Sequence, residues 1–548
     1  MVRQRFALSV LFSCSIAFAA CAAPPARPVA SNPSAAMTSA TTGEKDQIVL
    51  AIGGESEDGY DPTLGWGRYG SPLFQSTLLK RDAGLNIVND LAESHTVSAN
   101  GLVYKITIRK DARFSDDTPL TARDVVYTFN QAATSAGLTD VTVLDTATAT
   151  SDVDIELKLK QPQSTFINRL VTLGIVPEKL HSADPASYAK NPIGSGPYKL
   201  VKWESGKQLI VERNDLYYGD RPAIKRLVFV FNEDDANGGY TLAKAGQAQV
   251  ASIPPALAKE TIPGFKLYSV KSVDNRGLMF PFLPDTGKKT DKGYTIGNNV
   301  TADLAIRQAV NYVLDRKAMV DGVLEGYGSP AYGPVSGLPW EQTDAMIEDA
   351  NPNLAKKILA DGGWKAGSDG TLEKNGTQAA FTIVFPASDS TRQALAITAA
   401  DMIKPLGIQV EVVGKSWDDI ETLMHSNVIV FGWGSHDATE IYNLYHSSYA
   451  GKDYYNTGYY ANKTIDSDLD MAMGAPSQDE ANAFLKAAQW DGTAGFTTKG
   501  DAAWAWMVNL YHTYEVSECL DIGTPQIEPH GHGWPITAGI ADWKWTCA

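Results

Sequence analysis

The chain has little with which to do familiar chemistry. Four cysteines and eight histidines are scattered over 548 residues, and no C-x-x-C, H-E-x-x-H, P-loop or G-x-S-x-G pattern occurs. Those absences argue against zinc hydrolysis, P-loop phosphate chemistry and the nucleophile elbow of serine hydrolases. Carboxylate-based catalysis leaves no such pattern and is not excluded. Positive charge is also scarce: 47 Lys and Arg face 63 Asp and Glu, for a net charge of −16. That is the wrong sign for nucleic acid, whose phosphates require a basic surface. Beyond the first twenty residues no segment is apolar enough to span a membrane, and no internal repeat is visible. Gly65-Trp66-Gly67-Arg68-Tyr69-Gly70 does spell G-x-G-x-x-G. It follows Asp61-Pro62-Thr63-Leu64 rather than a strand and carries Trp and Tyr where a pyrophosphate needs room, so it is no dinucleotide site.

What is present begins with an export signal over residues 1–20: Arg3 and Arg5, then an uncharged apolar or small run from Phe6 to Ala20. The run ends in Phe18-Ala19-Ala20-Cys21, which resembles the lipobox of bacterial lipoproteins with Phe where Leu is usual. Cys21 would then carry lipid; cleavage after Ala17-Phe18-Ala19 is the competing reading. Residues 21–45, rich in Ala, Pro, Ser and Thr, suit a flexible tether. Cys14 leaves with the signal and Cys21 is spent on lipid, so Cys519 and Cys547 remain as a pair that an oxidising compartment favours as a disulfide.

With 44% hydrophobic residues, the remaining length predicts two or three domains. Val103–Lys110 and Asp154–Lys160 alternate apolar and polar residues as half-buried strands do. Thr121, three residues before Asp124, opens a helix with a variant capping box. Phe381–Pro386, the following helical run and Ile408–Gly414 predict a strand, helix, strand unit with parallel pairing. Thr301 and Asp315 are the expected N-caps of two further helices.

Three colinear segments, FSDDTPLTARDVVYTFNQA (114–132), NPIGSGPYKLVKWESGKQLIVERNDLYYGDRPAIKRLVF (191–229) and AIRQAVNYVLDRKAMVDGVLEGYGSPAYGPV (305–335), resemble the signature segments of the family 5 extracytoplasmic solute-binding proteins. These are the peptide, nickel and opine receptors of ABC importers, and the resemblance runs from about Gln47 onward. It implies an α/β, two-lobed type II periplasmic-binding fold, of the large cluster C type, with a hinged cleft. Lobe I would comprise 46–274 and a returning segment 509–548, lobe II 275–508, with crossings near Asp274 and Asn509. Function would be ligand-biased closure of a monomeric trap that delivers solute to a membrane permease, with no catalysis and no resident cofactor.

Within the family, residues 65–81, 272–282, FGWGSHD (431–437) and PHGHGWPI (529–536) look closest to the nickel-import branch. That likeness implies that His436 meets the ion and Trp433 packs on its chelate. Arg68 or Arg276 would pair with chelator carboxylates, and Trp66 and Tyr69 would share the wall. One imidazole cannot complete nickel coordination, so the ion would arrive wrapped in a small chelator such as free histidine. Each residue also has a plain structural reading: a histidine among aromatics is commonly a satisfied core group, and an arginine after a glycine-rich turn can cap a loop. His446 is a weaker candidate, one of Tyr454, Tyr455, Tyr459 and Tyr460 could face solute, and His530 and His532 are expected in a turn away from the cleft. The alternative cargo is a short peptide, held by an acid for its amino terminus and a base for its carboxylate.

Overall fold

The structure, a computed structural model, describes residues 45–547 except 57, 71–72, 135–138, 232–235 and 532–533. The expected signal, Cys21, nearly all of the tether and His532 lie outside the described residues. In the first half, Val103–Ile108 and Asp154–Leu159 pair antiparallel within a sheet completed by Ala92–Val97 and Leu144–Ala149. Their alternation lets Tyr104, Ile106 and Ile108 turn into a core shared with Val125 and Phe129 of helix Ala122–Thr134. That helix opens on Thr121, whose N–H donates to Asp124 Oδ2 at 2.8 Å.

The second half contains the parallel unit: Ala380–Pro386 and Gln409–Lys415 pair in register, Phe381 opposite Val410, around helix Ser390–Ile403. Asp315 caps helix Arg316–Gly322 through the Ala318 N–H at 2.8 Å. The preceding helix, Leu304–Val313, is capped by Asp303 and not by Thr301. Thr301 is spent in the approach turn, where its hydroxyl donates to the Pro281 carbonyl at 2.8 Å and Asn298 accepts its N–H. The helix therefore begins only once the chain has left that turn.

A mixed sheet passes through both halves. At its centre two long strands, Phe265–Met279 and Trp504–Ser517, lie antiparallel. Val250–Ile253 pairs with the second of them, followed outward by Ile48–Gly53, Arg226–Phe231, Gln208–Arg213 and Tyr198–Glu204. Val428–Trp433 pairs with the first, followed by the parallel unit. The ladder between the long strands shifts register between Lys271 and Asn275 and again between Arg276 and Gly277, with Asn275 opposite Asn509. Hydrophobic cores fall on either side of this break. One set draws on residues between 278 and 510; the other draws on residues between 48 and 270 together with 514–543. Cys519 and Cys547 are disulfide-bonded, with Cα atoms 5.0 Å apart, and the short strands Leu520–Asp521 and Lys544–Trp545 pair beside the bond.

Candidate ligand-binding cleft

The register break positions the site. Beside it the Phe265–Met279 strand contributes Asp274 and Arg276, while the segment leaving Val428–Trp433 crosses the same strand and contributes Trp433 to Glu440. The crossing requires glycine at 434: its φ is +151°, and a Cβ there would lie 2.3 Å from the Val273 carbonyl oxygen. From the first half, Asp61 accepts from the Thr63 N–H at 2.8 Å and, on its other oxygen, meets His181 Nε2 at 2.8 Å. That arrangement anchors the turn bearing Trp66, Arg68 and Tyr69.

These residues share one cleft of about 1490 Å³, whose wall includes Trp66, Arg68, Tyr69, Arg276, Trp433 and His436. Trp66 is only 9% exposed, packed edge-on to Tyr60 and Trp534 with centroids 4.8 and 5.4 Å away. The Arg68 guanidinium lies over the Tyr69 ring at 4.9 Å, and Trp433 stacks on Tyr455 at 4.7 Å. Of the four tyrosines, Tyr454 and Tyr455 line the cleft, whereas the Tyr460 hydroxyl donates to Asp501 at 2.8 Å. His446 is not part of the cleft wall; it stacks on Tyr442 at 4.3 Å and meets the Ser448 hydroxyl through Nδ1 at 2.7 Å.

His530 corrects the sequence reading, because it lies in the cleft wall. The Gly and Pro around it do mark a turn, but that turn follows a segment running beside the Phe265–Met279 strand: the Val273 N–H donates to the Glu528 carbonyl at 2.8 Å. The His530 N–H then donates to the Gly434 carbonyl at 2.7 Å, and its Nδ1 lies 2.6 Å from Asp274.

Asp274 is the centre of a buried charge network. Arg276 bonds one of its oxygens, and His512 Nε2 meets the other at 3.1 Å. Burial alone would raise this carboxyl; Arg276 and the two imidazoles instead hold it well below its ordinary range. For His512, burial opposes charge, yet Asp274 and Glu528 overcome it and push the imidazole up to about 9. His530, on the same carboxylate, is driven down by burial. His436 is brought down to about 3 by burial and then by the neighbouring Arg81. Glu440 is pushed up to about 8 by burial, with Asp274 and Asp437 adding like charge.

Several bonds join the halves at one end of the cleft. Arg169 Nη1 donates to Asp437 at 2.6 Å, Arg81 donates to the His436 carbonyl at 3.1 Å, and the Thr439 hydroxyl donates to that of Thr165 at 2.9 Å. Arg392, Glu440 and the His512–Glu528 pair carry no pattern that sequence reasoning could have caught; the nearest signal is the position of Glu440 seven residues beyond Trp433.

Charge of both signs, flat aromatic faces and a cleft beside the two long paired strands are the features of a binding receptor of two lobes. The comparisons supply its family. Residues 86–456 match the bacterial extracellular solute-binding proteins, family 5 (middle region), and the chain belongs to that family. Protein XP55 of Streptomyces lividans is 32% identical over 496 residues, covering 88% of this chain and 87% of the relative. The oligopeptide-binding protein AppA of Bacillus subtilis (strain 168) is 28% identical over 397 residues, covering 69% and 71%. Among solved structures, NikZ from Campylobacter jejuni in complex with Ni(L-His) aligns with a TM-score of 0.79 at 23% identity, covering 91% of this chain and 99% of that one; this likeness bears on the fold. The protein is an extracytoplasmic solute-binding receptor of an ABC importer and not an enzyme. Among the described residues no helix is long and apolar enough to cross a membrane.

Proposed function

We propose that the cleft captures a nickel chelate, nickel with free histidine being the simplest, and delivers it to the permease. The observation that carries this reading is His436. It is 9% exposed, its Nε2 has no hydrogen-bond partner, and the Ile527 backbone holds the other side of the ring. The imidazole is therefore neutral with its lone pair on Nε2, the form that ligates a borderline metal ion. A buried polar atom without a partner costs about 1–3 kcal/mol, which a ligand would recover. Among the described residues no cluster of three or more His, Cys, Asp or Glu is arranged to hold a metal, so a chelator would supply the other positions. Arg276 and Arg392 line the cleft, each with an unpartnered Nε, and suit chelator carboxylates; Arg68 can add a third positive charge. Trp433, with Tyr69 and Trp66 nearby in the wall, offers a packing face.

Lobe I would be residues 46–274 and 509–548 and lobe II 275–508. They would close about the Asn275–Asn509 pair in a monomer tethered through lipid on Cys21. The register break and the separate cores support that division.

A second reading, a short peptide, is favoured by size. About 1490 Å³ exceeds the roughly 300–1,000 Å³ usual for small-molecule sites, and charge of both signs in the wall, Glu440 and Arg68 included, could serve the two peptide termini. Isothermal titration of the protein with Ni²⁺ alone, Ni²⁺ with excess L-histidine, and a di- to pentapeptide mixture, repeated on His436→Ala, separates the two. Heat only with nickel and histidine together, lost in the variant, supports the chelate; heat with peptides alone overturns it.

A further inference from the structure

A second cavity, of about 140 Å³, shares no lining residue with the cleft. It is built where the strand Gly328–Pro330 pairs with Trp504–Ser517, Ser329 opposite Asn509, and its wall continues through the segment that follows, Ala331 to Ser336. Buried Arg316 holds that segment: its Nε donates to the Ala331 carbonyl at 2.9 Å, and its guanidinium lies 5.1 Å from the centre of the Tyr332 ring. Asn509 lines this cavity and its neighbour Leu510 lines the cleft. Successive residues of one strand point to opposite faces, so a single strand separates the two.

The cavity wall contains an acceptor that the protein leaves unsatisfied. Asn509 is 1% exposed. Its Nδ2 donates to the Pro330 carbonyl at 3.2 Å, which fixes the amide because a carbonyl only accepts, and its Oδ1 has no hydrogen-bond partner. Leaving such a buried acceptor unpaired is costly. The neighbouring side-chain amides are spent: Gln489 Nε2 donates to the Trp340 carbonyl at 2.7 Å, and Gln342 Nε2 to that of Trp490 at 2.8 Å. Ala331, Val335, Ala345 and Met346 supply apolar wall, and Glu341 is the charged side chain among the lining residues. An occupant therefore needs a donor, a positive charge and an apolar body. A cavity of about 150 Å³ takes up a molecule of the size of benzene, roughly six non-hydrogen atoms.

We propose that this cavity is a second ligand site, for a small organic cation such as an alkylammonium, and that its occupancy is passed to the cleft through Asn275. The Asn275 Nδ2 donates to the Pro334 carbonyl at 2.8 Å, in the segment that walls the cavity. Its Oδ1 accepts from the Trp433 N–H at 3.2 Å, in the wall of the cleft. Asn275 is fully buried, and close-packed interiors transmit displacement with little slack. By linkage, whatever the cation does to solute affinity the solute does equally to affinity for the cation. The site does not depend on which solute the cleft takes.

The test is NMR of the receptor labelled with carbon-13 on its methionine methyls and nitrogen-15 in its tryptophans, titrated with isobutylammonium, isobutanol and isobutyrate, which share one shape. Isobutylammonium should shift the Met346 methyl saturably, with half-saturation on the order of millimolar, and the Trp433 amide should move with the same midpoint. Isobutanol, which keeps a donor without the charge, should bind about tenfold more weakly, and isobutyrate should not bind. Glu341→Gln, at a partly exposed position of the wall, should weaken the cation about fivefold and leave isobutanol unchanged. Asn509→Ala should weaken both. Absence of a saturable shift with isobutylammonium, or isobutanol or isobutyrate binding as tightly, would overturn the cation site. A saturable Met346 shift with a still Trp433 amide would overturn the link to the cleft and uphold the site. The wild-type titrations decide the matter even if Asn509→Ala fails to fold.

Discussion

His512 Nδ1 lies 2.6 Å from Glu528 Oε2. Because its Nε2 meets Asp274, one imidazolium bridges two buried carboxylates, one from the Phe265–Met279 strand and one from the segment beside it that carries Glu528. Its folded pKa is raised to about 9 from an ordinary value near ~6.5. The contribution to stability is therefore fully present below about pH 6.5 and is lost as pH rises through 9. By that shift it amounts to about 3 kcal/mol. Denaturant unfolding from pH 6 to 9.5 should show stability falling, and His512→Gln should flatten the fall while lowering stability at pH 6.

Removing Arg169 should loosen the contact between the first and second halves of the chain that its bond to Asp437 makes. Its side chain is 11% exposed against 15% for Asp437, so Arg169→Ala leaves a poorly solvated carboxylate at that contact. A hydrogen bond to a charged group is worth about 1.5–3 kcal/mol, and solute affinity should fall about tenfold or more. Small-angle scattering of the free variant should show a larger radius of gyration than the wild type. An unchanged radius and unchanged affinity would remove this pair from the closure.

The ring of His436 should stay neutral from pH 5 to 8 in the empty receptor, because its pKa is lowered to about 3. Nitrogen-15 chemical shifts of the imidazole report this directly. A ring that titrates near 6.5 would remove the reason for choosing it as a metal ligand.

Reducing the Cys519–Cys547 bond, which spans a sequence separation of 28, should cost about 3.5 kcal/mol by loop-closure entropy. Thermal melts with and without a reductant measure it. Because the bonded segment also pairs Leu520–Asp521 with Lys544–Trp545, Cys547→Ser should lower the melting temperature even without a reductant.

How much was legible follows from how local each signal is. Val103–Ile108 could be read because a half-buried strand writes its period into consecutive residues, and the three family segments are likewise contiguous. Asp274, His512 and Glu528 carry no such trace, since they are brought together only by tertiary folding. Thr301 looked like a cap because a threonine in an approach turn and a threonine at an N-cap present the same residue type; which carbonyl its hydroxyl meets is decided by Pro281, twenty positions away. The glycines and proline near His530 reported that the chain bends but not that it bends beside Asp274. Trp433 and His436 were singled out by the likeness of FGWGSHD to the nickel-import branch, whereas Glu440 carries no such likeness and comes forward only from its burial in the cleft wall.

The pairing of Val250–Ile253 with Trp504–Ser517 also constrains the order in which the molecule can assemble. The first half of the sheet has a hydrogen-bonding edge that is covered only by residues more than 250 positions later in the chain. Such long-range closure is slow, and an uncovered edge is open to wrong partners. The receptor therefore cannot be completed while its last strands are still being delivered, which suits a chain that must remain threadable until export has finished.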